Sequence, residues 1–316
     1  METIIGREEE KRILTAALQS RDAELIAVYG RRRIGKTFLI RNHYHKNIVF
    51  ELTGIHEANM KDQLRNFSLA LQESMRIPVA PASPGSWIEA FRQLSDHLKT
   101  NEGKEPVVVL FDELPWLCTP KSGFLQAFGH WWNTWASRNR FVKVVICGSA
   151  ASWIIRNIIN DRGGLHNRVT QRIRLLPFTL AETERFLLHH GVKLDRYQVL
   201  QLYMSMGGIP QYLKQVQKGE SASQIIDKLC FTKNGMLKTE FDDLYQSLFA
   251  HAENHEKVVR TLSKKTKGMT RTEIIEACGF TTGGWSNPDL LRSTYHLTEP
   301  SGMLSIKYPT STVCST

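Results

Sequence analysis

Eight residues, Gly30-Arg31-Arg32-Arg33-Ile34-Gly35-Lys36-Thr37, constrain this chain more than any other stretch. They match G-x-x-x-x-G-K-[ST], a pattern that carries physical meaning after a strand and at the opening of a helix. Both flanks fit. Glu24-Leu25-Ile26-Ala27-Val28-Tyr29 is short, apolar and rich in strand formers, and Phe38-Leu39-Ile40-Arg41-Asn42 can continue as a helix. Glycines in such a loop let backbone N–H groups face inward around phosphate oxygens, at a helix start whose dipole favours anions. Lys36 is expected to reach the β- and γ-phosphates of a nucleotide, and the Thr37 hydroxyl to ligate Mg²⁺. The nucleotide-binding set is thus Gly30, Arg31, Arg32, Arg33, Ile34, Gly35, Lys36, Thr37 and Phe38. The three arginines could pass for a nucleic-acid patch, but within the loop they are expected to face solvent or brace neighbouring acids.

A second acidic motif supplies what this loop lacks. Pro106-Val107-Val108-Val109-Leu110-Phe111 is nearly all apolar, as a buried parallel strand should be, and it closes on Asp112-Glu113. Asp112 would hold the metal through its water shell, and Glu113 would orient or deprotonate an attacking water. Alone, the pair could equally be a helix cap or a solvated turn. Further strands are expected at Asn47–Leu52, Phe141–Cys147 and Arg172–Leu176, alternating with helices such as Glu57–Ser74 and Trp87–Lys99. That alternation gives a parallel α/β sheet wrapped on both faces, with an extra strand between the loop strand and the acidic strand. Ser149 follows the Phe141–Cys147 strand, where its hydroxyl could face the γ-phosphate or serve as a helix N-cap. From Pro177 onward only helical patterns follow, including the capping boxes Thr179–Glu182 and Thr270–Glu273.

Composition narrows the class. The 316 residues carry a formal net charge of +10, which favours polyanionic partners without specifying one. No apolar run approaches the ~18 residues of a membrane helix, and the N-terminus carries no signal-peptide pattern. The five cysteines are scattered and contain no C-x-x-C, so a reducing cytoplasm is expected, with neither a disulfide framework nor a cysteine zinc site. His251 and His255 stand at i, i+4, but without a suitable glutamate or third ligand they read as a solvated helix face. The tryptophans 131, 132 and 135 are expected to pack against the sheet or the lid.

Taken together, several segments resemble the archaeal-type AAA-like P-loop ATPases, a family also common in bacteria and related to the signal-transducing STAND ATPases. They are Ile5-Gly6-Arg7-Glu8, Tyr29–Thr37, Phe111-Asp112-Glu113-Leu114-Pro115-Trp116, Cys147-Gly148-Ser149-Ala150, Gly164–Arg168, Leu176-Pro177-Phe178 and Gly207–Leu213. The resemblance spans about residues 1–284. It implies a P-loop NTPase with an additional-strand (ASCE/AAA-like) parallel sheet at 1–176 and an all-α helical lid at 177–249. A partial winged-helix or helix-turn-helix module at 250–292 and an irregular tail at 293–316 would follow. It further implies that Ser149 takes a sensor position, that the segment with Arg7 lies beside the adenine, and that Gly208 and Pro210 close over the nucleotide. Arg168 is the candidate arginine finger or sensor; otherwise it is an exposed arginine before an edge strand.

The expected ligands are ATP and Mg²⁺, and the expected activity is hydrolysis to ADP and phosphate that switches the lid. A DNA-binding regulator using ATP as a ligand, or a P-loop phosphotransferase, are the other readings; the glutamate beside Asp112 argues against the last. DNA or a protein could bind through the C-terminal module, and self-association could depend on nucleotide. After Gly283-Gly284 the sequence departs from the family pattern: Pro288 would interrupt the expected recognition helix, and Ser305 to Thr316 lacks amphipathic order. A shortened, incomplete winged helix is therefore expected, leaving the nucleotide site intact.

Overall fold

Five parallel strands carry the architecture in the computed structural model. They are β1 (Glu24–Tyr29), β2 (Ile48–Thr53), β3 (Val107–Asp112), β4 (Val142–Gly148) and β5 (Gln171–Arg174). Their spatial order is β2-β3-β4-β1-β5, every neighbouring pair parallel. The structure describes residues 2–100, 105–119, 121–161, 163–238, 240, 252–264, 269–280 and 303–304. By contacts the chain divides into two compact units, Met1–Ile226 and Asp227–Thr316.

The three central strands β3, β4 and β1 are buried almost throughout, which is why their sequences run apolar on both faces instead of alternating. An inserted strand does separate the loop strand from the acidic strand, and it is β4. The strand between the two motifs in sequence, β2, goes to the edge. That edge is blunted by the helix packed on it. Asn66 Nδ2 donates to the Thr53 carbonyl at 2.8 Å and Ser74 Oγ donates to the Val49 carbonyl, so side chains occupy acceptors that another strand would use.

Helices cover both faces. On one lie α1 (Glu8–Gln19) and α2 (Lys36–His43), whose Leu14 and Ile40 meet Ile26, Val28 and Val145 of the sheet. On the other lie α3 (Met60–Met75), α4 (Trp87–Lys99), the single turn α5 (Leu114–Leu117) and α6 (Phe124–Thr134). Phe91, Phe111, Phe128 and Trp131 interlock there with ring centroids 5.1–6.4 Å apart, each pair contributing about 1 kcal/mol beyond area burial. The tryptophans thus pack toward the sheet, and Trp131 Nε1 donates to Ser95 Oγ at 2.8 Å. After the turn α7 (Ala151–Ile154) and β5, the lid is built from α8 (Leu180–His189), α9 (Arg196–Met206), α10 (Pro210–Leu213) and α11 (Ala222–Ile226). The Thr179–Glu182 capping box starts α8 as its pattern requires, and Asp195 caps α9. After Gly208 the chain takes a single helical turn, Pro210–Leu213.

The second unit holds the helices Ala252–Leu262 and Arg271–Cys278, which share a small core of Val258, Leu262, Met269, Ile274 and Cys278. The Thr270–Glu273 capping box is present. A short strand, Met269–Thr270, pairs antiparallel with Met303–Leu304, a strand within the stretch expected to be irregular. The Gly283-Gly284 turn, Pro288, the rest of the expected winged helix, the 305–316 segment and the side chains of His251 and His255 lie outside the described residues. Among the described residues no helix is long and apolar enough to cross a membrane.

Candidate functional site

Parallel strands end on one side of the sheet, and the carboxyl ends of β1, β3 and β4 bring the two sequence motifs together. Between β1 and α2, Arg33 and Gly35 take left-handed backbone (φ 68° and 86°), a pattern that turns successive N–H groups toward one concavity. Gly30 is required by closeness: a Cβ there would lie 2.3 Å from the Leu175 carbonyl oxygen and 2.7 Å from Ile34 Cδ1. Lys36 is buried, and its ammonium donates to the carbonyls of Gly30 at 3.0 Å and Arg31 at 2.8 Å. Burial lowers its pKa, offset in part by the nearby Cys147, Glu113 and Asp112, while the charge of Arg32 pushes it down further.

The acidic pair meets this loop directly. Thr37 Oγ1 donates to Asp112 Oδ2 at 2.8 Å, across 75 residues of sequence. Asp112 is buried, and its other oxygen accepts from the Glu113 backbone N–H at 3.0 Å. A hydroxyl and a buried carboxylate this close are hard oxygen donors of the kind magnesium takes beside substrate phosphates. Glu113 holds a left-handed backbone (φ 45°), and its Oε2 accepts from both the N–H and the hydroxyl of Ser149, at 3.2 and 3.0 Å. Ser149 therefore acts on the carboxylate; its side chain is absent from the cap of α7. Beneath them, burial together with Asp112 raises the Cys147 thiol well above its ordinary value, so that it stays protonated.

A cavity of about 920 Å³ opens over these residues. Arg32 through Leu39 and Glu113 contribute one part of the lining; the N-terminal segment and the lid contribute the other, where Ile4, Ile5, Phe178, Phe186 and Pro210 give an apolar wall bordered by polar side chains such as Gln211 and Lys214. That division suits a ligand with a charged tail and a flat apolar head. Arg7 joins the parts. Buried and left-handed (φ 62°), it donates through Nη2 to the Ile34 carbonyl at 3.4 Å and stacks 4.6 Å from the Phe178 ring centroid. Its Nη1 pairs with Glu10 at 3.5 Å, and its backbone N–H donates to Glu182 Oε1 of the lid at 2.9 Å. Burial lowers the Arg7 pKa, against the pull of Glu10 and Glu182. Desolvation alone would raise the Glu182 pKa, but hydrogen bonds from Arg7 and Thr179 outweigh it and hold the carboxyl low.

The expected site residues are not all placed alike. Lys36, Thr37, Asp112, Glu113 and Ser149 converge, Arg32 to Phe38, Arg7 and Pro210 line the cavity, Gly30 shapes the loop, and Arg31 is exposed and does not line it. Gly208 does not line it. It takes a left-handed φ of 66°, and a Cβ there would lie 2.3 Å from the Phe178 carbonyl oxygen, which shows that it lets the α9–α10 turn close against the linker carrying Phe178. Arg168 is exposed, just before Thr170, whose N–H donates to the Leu25 carbonyl at the amino end of β1. It therefore stands at the end of the sheet opposite the loop, outside this cavity. Missing from the expectations were Phe178, Phe186 and His190 as wall residues and Glu182 as the partner of Arg7. The Thr179–Glu182 capping box marked that carboxylate as a cap only.

Comparison with known proteins gives a consistent picture. Residues 4–216 match the model of an ATPase domain predominantly from Archaea. An uncharacterized protein of Methanocaldococcus jannaschii, MJECL04, is 24% identical over 260 residues, 82% of this chain and 54% of that protein. The chain thus spans about half the length of the curated relative it matches. Among solved structures, the Walker-type ATPase PABY2304 of Pyrococcus abyssi superposes with a TM-score of 0.66 at 16% identity, covering 96% of this chain and 93% of that one. The Aeropyrum pernix ORC1 protein, solved in complex with DNA, gives 0.53 at 14% identity over 95% and 80%. At these identities the structures share the fold.

Proposed function

We propose, from the premise that the chain belongs to the family of ATPase domains found predominantly in Archaea, that it hydrolyses ATP and uses the cycle to move its lid. Magnesium would be held by Thr37 and Asp112, where its charge helps neutralise the phosphates. The observation that carries this reading is the 2.8 Å bond between Thr37 and Asp112, which joins the loop to the acidic strand end beside a cavity that Thr37 and Glu113 line. In the step itself, a water oxygen bonds to the γ-phosphorus as the bond to the β–γ bridging oxygen breaks, its electron pair staying on ADP. The water proton passes to the Glu113 carboxylate. Lys36 gives up its bonds to loop carbonyls for phosphate oxygens, and Ser149 fixes the direction of the carboxylate.

The apolar wall takes the adenine. Because Arg7 touches the loop through Ile34 and the lid through Glu182 and Phe178, a change at the phosphates has a short mechanical path to the helices α8–α10. Arg168, at the far end of the sheet, would serve such a site only in a neighbouring copy, under nucleotide-dependent self-association. A carboxylate aimed into the cavity favours water as acceptor over transfer to a second substrate.

Phosphate release by the purified chain with ATP and magnesium, beside Lys36→Ala and with or without duplex DNA, tests this. Release without any added acceptor, abolished in the variant, is the expected result. Release that needs an acceptor would make the protein a phosphotransferase, and ATP binding without release would make the nucleotide a ligand only.

A further inference from the structure

Three consecutive arginines of one loop go three separate ways. Arg31 is exposed, and Arg33 lies 5.9 Å from the Tyr212 ring of the lid. Arg32 turns instead toward the carboxyl ends of β3 and β4. Its Nε lies 3.5 Å from Ser149 Oγ, the hydroxyl that donates to Glu113 Oε2. Its guanidinium carbon sits 5.7 Å from the ring centroid of Trp116, whose backbone N–H donates to the Glu113 carbonyl at 2.9 Å. Trp116 thus supplies a platform fixed to the same turn as the carboxylate. Arg32, Lys36 and Glu113 all line the one cavity.

We infer that Arg32 is a catalytic residue of this site, the cation in the same chain that meets negative charge on the phosphoryl group during transfer to water. Like charges converge at the cost of mutual repulsion, and here the guanidinium of Arg32 and the buried ammonium of Lys36 line the same cavity. A terminal phosphate between them resolves that repulsion. The 3.5 Å contact to Ser149 is long for a hydrogen bond and engages only Nε, so little is lost when the planar fork closes on phosphate oxygens. Ser149 and Trp116 set its position. Charge on the equatorial oxygens is the main thing a protein can stabilise in this reaction, and a preorganised arginine is suited to that task. The assignment rests on the hydrolytic reading above.

The test compares wild type with Arg32→Ala and Arg32→Lys in three measurements: ATP affinity, phosphate release at saturating ATP, and capture of ADP with aluminium fluoride and magnesium. Arg32→Ala is expected to bind ATP within about threefold of wild type, to lose on the order of 100-fold in kcat, and to fail to capture the fluoroaluminate complex. Arg32→Lys restores little of the rate, because a point charge does not replace the fork. Two results overturn the inference: a kcat within twofold of wild type, or a loss of rate matched by the loss of ATP affinity with fluoroaluminate capture retained. If wild type itself binds ATP but releases no phosphate, the hydrolytic reading falls and takes this one with it. Normal wild-type release with a fully active Arg32→Ala removes Arg32 alone. Circular dichroism and retained ATP binding distinguish either outcome from misfolding.

Discussion

The two ends of the cavity are built on different principles. At the phosphate end, Lys36, Asp112 and Glu113 spring from the ends of the central strands, each within a few residues of a buried apolar run, and their polar atoms bond the loop carbonyls, Thr37, the Glu113 backbone and Ser149 at 2.8 to 3.2 Å. At the base end, the wall comes from an N-terminal segment and a lid that meet across 175 residues through Arg7 and Glu182. The first end inherits its geometry from the sheet. The second depends on side-chain ties between segments far apart in sequence, and under the proposed function it is the end that would open.

Substitutions should divide along the same line. Lys36→Ala removes the buried cation and should cost about 3 kcal/mol of ATP binding, a hundredfold or more in Kd by titration. An affinity equal to wild type would remove the loop from the site. Gly208→Ala acts on the lid without touching the phosphates. A Cβ there meets the Phe178 carbonyl at 2.3 Å on a left-handed backbone, so a loss of about 2–3 kcal/mol in stability is expected, read as a fall in Tm. Should ATP affinity hold while Tm drops, the two ends are independent; should both fall together, the lid shapes the base wall.

Glu182→Ala cuts the acceptor for the Arg7 N–H and opens the capping box of α8. It is expected to cost about 1–2 kcal/mol of stability and to weaken nucleotide binding roughly tenfold, leaving kcat at saturation unchanged. A changed kcat with unchanged affinity would show that the tie reaches the chemistry. The smallest effect is a pH dependence. Since the folded-state pKa of Glu182 lies below its unfolded value, its contribution to stability is complete above the ordinary carboxylate range and fades as pH falls through the folded value. The Tm gap between wild type and Glu182→Ala should therefore narrow on acidification from neutrality, and a gap that widens would reverse the sign of that linkage.

The same contrast explains what the sequence disclosed. The phosphate end was legible because its chemistry is packed into short motifs and its strands are apolar runs: β1, β3 and β4 fall where Glu24–Tyr29, Pro106–Phe111 and Phe141–Cys147 predict them. Even there, spatial order was hidden. That β4 rather than β2 lies between β1 and β3 follows from sheet pairing, which no local pattern encodes. Lys143 hides in the same way, a charged residue in a run of Val and Ile that is fully buried because its ammonium donates to the carbonyls of Ser20, Asp22 and Arg140. The base end left fewer marks. Nothing in Gly6-Arg7 announces a lid carboxylate, and Gly208 reads as a nucleotide contact until the approach of Phe178 shows its steric purpose. The three arginines are identical as letters and differ only through the backbone that carries them, left-handed at Arg33.

Whether loop and acidic pair form one hydrolytic site is tested most directly by Glu113→Gln, since the substitution keeps the shape and one acceptor oxygen for Ser149 but removes the base. ATP affinity and steady-state phosphate release are measured on the same preparation. The expected result is wild-type affinity with release reduced on the order of 100-fold or more. Release at the wild-type rate would contradict it.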